Sequence, residues 1–251
     1  MRFFLLVLTT AALIAPAAPA AAQTQAPASN VPERRWSFDF GLGWDNNLGG
    51  NINSGGIGVL QNQAVVILPN SYGDVYGTGL HVRFGGGYKL DNLSEVRAVV
   101  TYQSLSSDLT FLGDIGIANL YASYDNYRSL TLDVGYRRYV PNTVEGIRVY
   151  AEGTVGLGFI SELDTQLAAP ATNIVFDATD FYDATAAFAL GANAGVLFTV
   201  ASQMDIYGQI GLRYMTGLSE VDDLVGTGLE TINDGSRRWT LPIVIGVNFR
   251  F

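Results

Sequence analysis

The feature that most limits how this chain can fold is a repeated pattern of segments of about ten residues. In each, apolar side chains alternate with polar or small ones. Successive side chains of an extended strand point to opposite sides, so each segment has one apolar face and one polar face. In the first segment Trp36, Phe38, Phe40, Leu42 and Trp44 fall on one side, with Ser37, Asp39, Gly41, Gly43 and Asp45 on the other. The last sets Trp239, Leu241, Ile243, Ile245, Val247, Phe249 and Phe251 against Thr240, Gly246, Asn248 and Arg250. The same alternation recurs over residues 77–88, 96–102, 130–136, 149–159, 188–198 and 204–214, which brings the total to eight segments.

Alternation alone also suits a soluble sandwich, and the connectors decide between the two. Short ones span residues 89–94, 140–146 and 201–203, whereas long ones span 46–76, 105–127, 160–182 and 215–235. Short and long alternate without exception, as in a membrane barrel with tight turns at one rim and long loops at the other. The expected fold is therefore all-β, an eight-stranded antiparallel transmembrane β-barrel over residues 34–251. Residues 57–68 offer a further strand, and pairing with 117–124 would raise the count to ten. Residues 184–201 carry no charge, and Gly191 with Gly195 matches a helix-packing spacing. Their large side chains nevertheless keep a period of two and Asn193 falls on the polar side, which reads as a strand.

Charge placement supports closure. Arg83, Arg97, Asp133, Arg137, Arg148, Glu152, Asp205, Arg213 and Arg250 all lie opposite the apolar face. An Arg turned to lipid at mid-bilayer costs about 2–4 kcal/mol, whereas turned inward it can pair. Trp36, Trp44, Tyr102, Tyr136, Tyr139 and Trp239 stand near segment ends, where aromatic girdles are expected. Only 15% of residues are charged, against roughly 25% in an average soluble domain.

Residues 1–22 have the form of a secretory signal peptide: Arg2, an apolar run over 3–14, and Ala20, Ala21 and Ala22 before the expected cut. The run is too short to span a bilayer. Residues 23–33, rich in Ala, Pro, Ser and Gln, are expected to be a disordered lead. With no Cys there is no disulfide, thiolate metal site or lipid-attachment thiol. Loss of Arg2 leaves 13 basic residues against 23 acidic ones, the wrong sign for nucleic-acid binding.

The ending Ile245, Val247, Phe249 and Phe251, aromatic and alternating, resembles the closing strand of outer-membrane barrels. The resemblance implies that the barrel-insertion machinery reads these residues as its signal. Residues 34–251 resemble the small OmpA/OmpX-type and opacity-type barrels in architecture, not in matched functional residues. No peptidoglycan-binding domain follows, unlike full-length OmpA. The resemblance implies an outer-membrane location, contact with membrane lipid and lipopolysaccharide, and long extracellular loops whose partner the sequence does not reveal.

Some barrels of this size are lipid-modifying enzymes or proteases, and most need a His base. The one histidine, His81, lies on the polar face between Gly79 and Arg83, with no Ser two residues away. Glu95 or Glu152 is left to approach it across the barrel. The simpler expectation is a hydrogen-bonded lumen residue, no catalysis and no cofactor. The inward charges are expected to form a plug, since an eight-stranded barrel is just wide enough for side chains to fill it. A narrow path for ions or small solutes is the alternative. Acidic loop residues, Glu220, Asp222 and Asp223 in the last loop and Asp177, Asp180 and Asp183 in the third, have the chemistry of hard-cation ligands. They lack any Ca-loop spacing and are expected to be solvated. No phosphate-loop or dinucleotide motif is present.

Overall fold

The computed structural model describes residues 34–60, 62–141, 144–172, 174–176, 179–221, 227–233 and 236–251. The expected signal peptide and lead, and Asp177, Asp222 and Asp223, lie outside the described residues.

Strand β1 (Trp36–Gly49) is followed by the first long connector. That connector holds β2 (Asn51–Asn53), β3 (Gly56–Leu60), β4 (Gln63–Ile67), β5 (Asn70–Ser71) and a helical turn, α1 (Tyr72–Val75). Next come β6 (Gly79–Lys89) and β7 (Ser94–Leu105), then β8 (Thr110–Ile115) and β9 (Ala118–Tyr124) in the second long connector. After β10 (Tyr127–Tyr139) and β11 (Ile147–Ile160), the third connector holds β12 (Leu163–Ala169), β13 (Ile174–Val175) and β14 (Thr179–Asp183). The chain ends with β15 (Thr185–Ala201), β16 (Met204–Met215), β17 (Ser219–Glu220) and β18 (Arg238–Arg250).

Eight of these close into one antiparallel barrel in the order β1-β6-β7-β10-β11-β15-β16-β18, with β18 pairing back to β1. Each barrel strand therefore neighbours the strands before and after it, which short turns and loops allow without crossovers. In the closing ladder Phe40 faces Val247 and Trp44 faces Ile243. At its foot Phe251 N–H donates to the Trp36 carbonyl at 2.9 Å. Closure leaves no unpaired backbone edge where hydrocarbon would surround it. The uncharged stretch is strand β15, paired to β11 and β16 along its length.

The outer face of the barrel exposes Phe38, Leu42, Phe84, Leu132, Val155 and Ile245, and its charged side chains, Arg128 and Arg138, stand only at strand ends. Inside, the buried charged residues take the opposite parity, as with Asp39 on β1, Arg83 on β6, Arg97 on β7, Asp133 on β10, Glu152 on β11 and Asp205 on β16. An exposed apolar exterior around a polar, closed interior is stable only in lipid. The chain is a transmembrane β-barrel.

The long connectors are more ordered than expected. They build a second antiparallel sheet in the order β17-β14-β12-β9-β8-β4-β3 above the barrel mouth. Residues 57–68 do form strands, but β4 pairs with β8, and β9 pairs with β8 and β12. The barrel thus keeps eight strands, because the extra ones hydrogen-bond to each other and not to the barrel wall. The last loop draws in the free side of β3, with Val59 N–H donating to the Thr227 carbonyl at 2.7 Å. Ile52, Ile67, Leu112, Leu120, Leu163 and Phe181 of this cap form one apolar core that continues into Leu105, Ile160, Ala187 and Met215 at the top of the barrel.

Candidate functional site

The lumen is the densest concentration of chemistry, and strand parity builds it. The structure places the nine charged residues of inward parity in three groups along the axis. Near the short-turn mouth, Asp205 accepts from Arg148 at 2.6 Å and from Arg250 at 3.0 Å. At mid-height, Glu152 accepts from Arg83 at 2.8 Å and from Arg137 at 2.7 Å, with Arg97 at 3.4 Å. Arg97 also pairs with Asp39. Higher up, Arg213 grips Asp133 through two bonds of 2.9 and 3.0 Å.

Asp39, Asp45, Glu95 and Arg238 complete these groups and did not stand out in the sequence as members. Glu95 accepts from Tyr139 at 2.7 Å and from Ser37. Arg238 donates to Asn47 at 2.8 Å and to Gln103 at 3.1 Å. The signal was present: each sits on the inward parity of its strand. Tyr139 corrects the girdle expectation for the same reason. Three residues beyond the outward Tyr136 it must turn inward, and it is buried. Mid-height is balanced, with Arg83, Arg97 and Arg137 against Asp39, Glu95 and Glu152. Balance and direct pairing are what buried charge requires.

Small residues make room for these long ones. A Cβ on Gly85 would sit 2.5 Å from Arg97 Nη2 and closer still to the Asp39 carboxylate. Gly85 therefore lets Arg97 cross the lumen.

His81 is buried beside Asp45, Nδ1 to Oδ1 3.4 Å, without the geometry of a hydrogen bond. Neither Glu95 nor Glu152 reaches it, since both are engaged lower in the lumen. Gln103 donates to the other Asp45 oxygen at 2.5 Å. These residues border a cavity of about 40 Å³ together with Arg83, Asp133, Thr154 and Arg213. Space of that size holds about three waters at 10–15 Å³ each.

The cap closes the upper mouth. The Arg238 guanidinium lies 4.7 Å from the Tyr127 ring centre and 5.5 Å from that of Tyr72, so the top cation stacks under aromatic side chains. Tyr72 O–H donates to the Ser236 carbonyl at 2.9 Å, and Tyr76 O–H to that of Asp125 at 2.8 Å. Burial pushes both phenols above their ordinary pKa. The turn α1 starts from Ser71, whose side chain and backbone bind Asp74 in a capping box, holding that carboxyl below its usual range. On the cap's outer side partial burial raises the Asp164 carboxyl, aided by Asp180, Asp125 and Glu162. Asp183 and Glu220 lie on β14 and β17, which pair with each other at the end of the cap sheet. Among the described residues, no three His, Asp or Glu side chains are placed to hold a metal ion.

No family model and no curated protein matches the chain. Solved structures do resemble it. A major outer membrane protein from Thermus thermophilus is 14% identical with a TM-score of 0.47, over 85% of this chain and 99% of that one. Neisserial surface protein A is 12% identical with a TM-score of 0.43, over 86% and 96%. The outer membrane protease OmpT from Escherichia coli is 11% identical with a TM-score of 0.40, over 86% and 97%. At such scores the architecture rests on this chain's own hydrogen-bonded ladders.

Proposed function

We propose that the chain is an outer-membrane barrel with a sealed lumen, which presents its cap outward as a surface for interaction and performs no turnover. The observation that carries this reading is the double closure. A neutral, mutually paired charge cluster fills mid-height, and the aromatic floor of the cap covers Arg238 above it. The interior of an eight-stranded barrel is just wide enough for side chains to fill it. The absence of turnover is supported by the surroundings of His81: a carboxylate, an amide and glycines, under a closed cap.

Contact with membrane lipid and lipopolysaccharide is proposed for the apolar exterior. Recognition by the insertion machinery is proposed for Ile245, Val247, Phe249 and Phe251. The last of these packs its ring 6.2 Å from Phe38 at the barrel foot.

Conductance across a planar bilayer tests the sealed lumen, using residues 23–251 refolded and shown to be folded by slow unboiled gel migration. The expected record is flat. Stable steps of reproducible size would overturn the sealed reading and favour a small channel, with Arg83, Arg97, Arg137 and Arg213 as its selectivity residues.

A further inference from the structure

The short-turn mouth of the barrel, unlike its middle, is not balanced in charge. Asp205 is fully buried and accepts from two guanidiniums, Arg148 and Arg250, and from the Thr199 hydroxyl at 2.7 Å. The Nε–H of each arginine is buried without a hydrogen-bond partner. Both side chains still reach the surface, at 24% and 18% exposure. Arg34, just before β1 on the same rim, donates to the Ser202 carbonyl in the turn between β15 and β16. Arg35 and Arg138 stand farther round the same rim, bonded to Tyr88 and Asp91. The acidic residues of the chain concentrate instead on the cap, where Asp125, Glu162, Asp164 and Asp180 cluster.

Two guanidiniums sharing one buried carboxylate, partly withdrawn from water, repel one another unless a further anion joins them. Arginine forks match the spacing of tetrahedral and planar oxyanions, and hydrogen bonds between ions are the strong ones. We propose that the short-turn mouth is an oxyanion site in which Arg148, Arg250 and Arg34 bind a phosphate, either free or carried by a phospholipid head group. This inference goes beyond the sealed-barrel reading and does not depend on it, because the site lies below the mid-height cluster whether or not that cluster conducts.

Isothermal titration of the refolded chain with inorganic phosphate tests the site. The expected result is saturable binding to one site, weakened about tenfold or more by Arg148→Gln, since one charge-assisted hydrogen bond is worth about 1.5–3 kcal/mol. Arg34→Gln lies outside the barrel ladders, so a weaker titration there reports the site and not the fold. Arg128→Gln, at the opposite end, leaves binding unchanged. A competition arm then distinguishes the sources. Displacement of phosphate by vesicles containing phosphatidylglycerol, but not by phosphatidylcholine vesicles, assigns the site to a lipid head group; no displacement by either assigns it to free anion. Heat that never saturates, or saturable binding equal in Arg34→Gln, Arg148→Gln and the parent chain, would overturn the proposal.

Discussion

Replacing Glu152 by glutamine is the sharpest test of what holds the lumen together. The side chain keeps its volume and loses only its charge. In the parent chain Glu152 meets Arg83 at 2.8 Å, Arg137 at 2.7 Å and Arg97 at 3.4 Å, and its carboxylate is fully buried. Removing that charge leaves three guanidiniums facing the two carboxylates of Asp39 and Glu95, with one positive charge uncompensated in the interior. Breaking a buried pair in this way costs about 3–5 kcal/mol. That is about two to four powers of ten in the folding equilibrium. Urea unfolding in lipid vesicles, followed by tryptophan fluorescence, reads it directly. Trp36 and Trp44 lie on β1 and Trp239 on β18, the two strands whose pairing closes the barrel. Removing Arg137 together with Glu152, as Glu152→Leu with Arg137→Met, is expected to cost less than Glu152→Gln alone, because no charge is left unpaired. A loss below about 1 kcal/mol, the range of exposed ion pairs, would refute the reasoning. It would mean that water already screens the lumen, and the sealed reading would fall with it.

Gly85→Ala and Gly86→Ala test the packing of the same cluster one residue apart. The first forces a methyl against Arg97 and Asp39 and is expected to cost about 1–3 kcal/mol. The second meets nothing nearer than 3.8 Å and is expected to leave the unfolding midpoint unchanged. Acid should act on the cap with two opposite signs. Asp74, held low by its capping box, contributes stability that is present at neutral pH and lost as pH falls through its lowered pKa. Asp164, held high, binds its proton more tightly folded than unfolded, so its contribution improves as pH falls through that raised pKa. Protection of β12 amides, taken relative to the intrinsic exchange rate at each pH, should therefore rise as pH falls in the parent chain but not in Asp164→Asn. Equal pH profiles for the two would count against the carboxyl cluster.

Much of the barrel was legible because a lipid environment imposes rules on sequence that are simple and local. Period-two alternation follows from strand geometry, and lipid removes charge from one face of every strand. The alternation of short and long connectors follows from a single chain crossing back and forth. These rules depend on near neighbours only, so Trp36 to Trp44 or Phe188 to Phe198 can be read one strand at a time. Parity even places Asp39, Asp45, Glu95, Tyr139 and Arg238 inside, once the strand boundaries are known.

Which inward residues meet depends on barrel stagger and on side chains reaching across it, and no local pattern encodes that. Glu152 on β11 joins Arg83 on β6, three strands away round the barrel, because both side chains are long enough to meet across it. His81 lies beside Asp45 on the adjacent strand and not beside either glutamate the sequence brought forward. The cap is the larger case. Its strands are short, and its sheet is joined by pairings between loops, β4 with β8, β9 with β12 and β14 with the two-residue β17. Nothing within one loop fixes such pairing, because each loop supplies one part of a core that exists only when all four are assembled. The sequence by itself thus determined a membrane barrel and its inner face, and left its strand count between eight and ten. Tertiary structure decided that the lumen is balanced in the middle, positive at one mouth and roofed at the other, since charge balance and closure are properties of side chains brought together from distant strands.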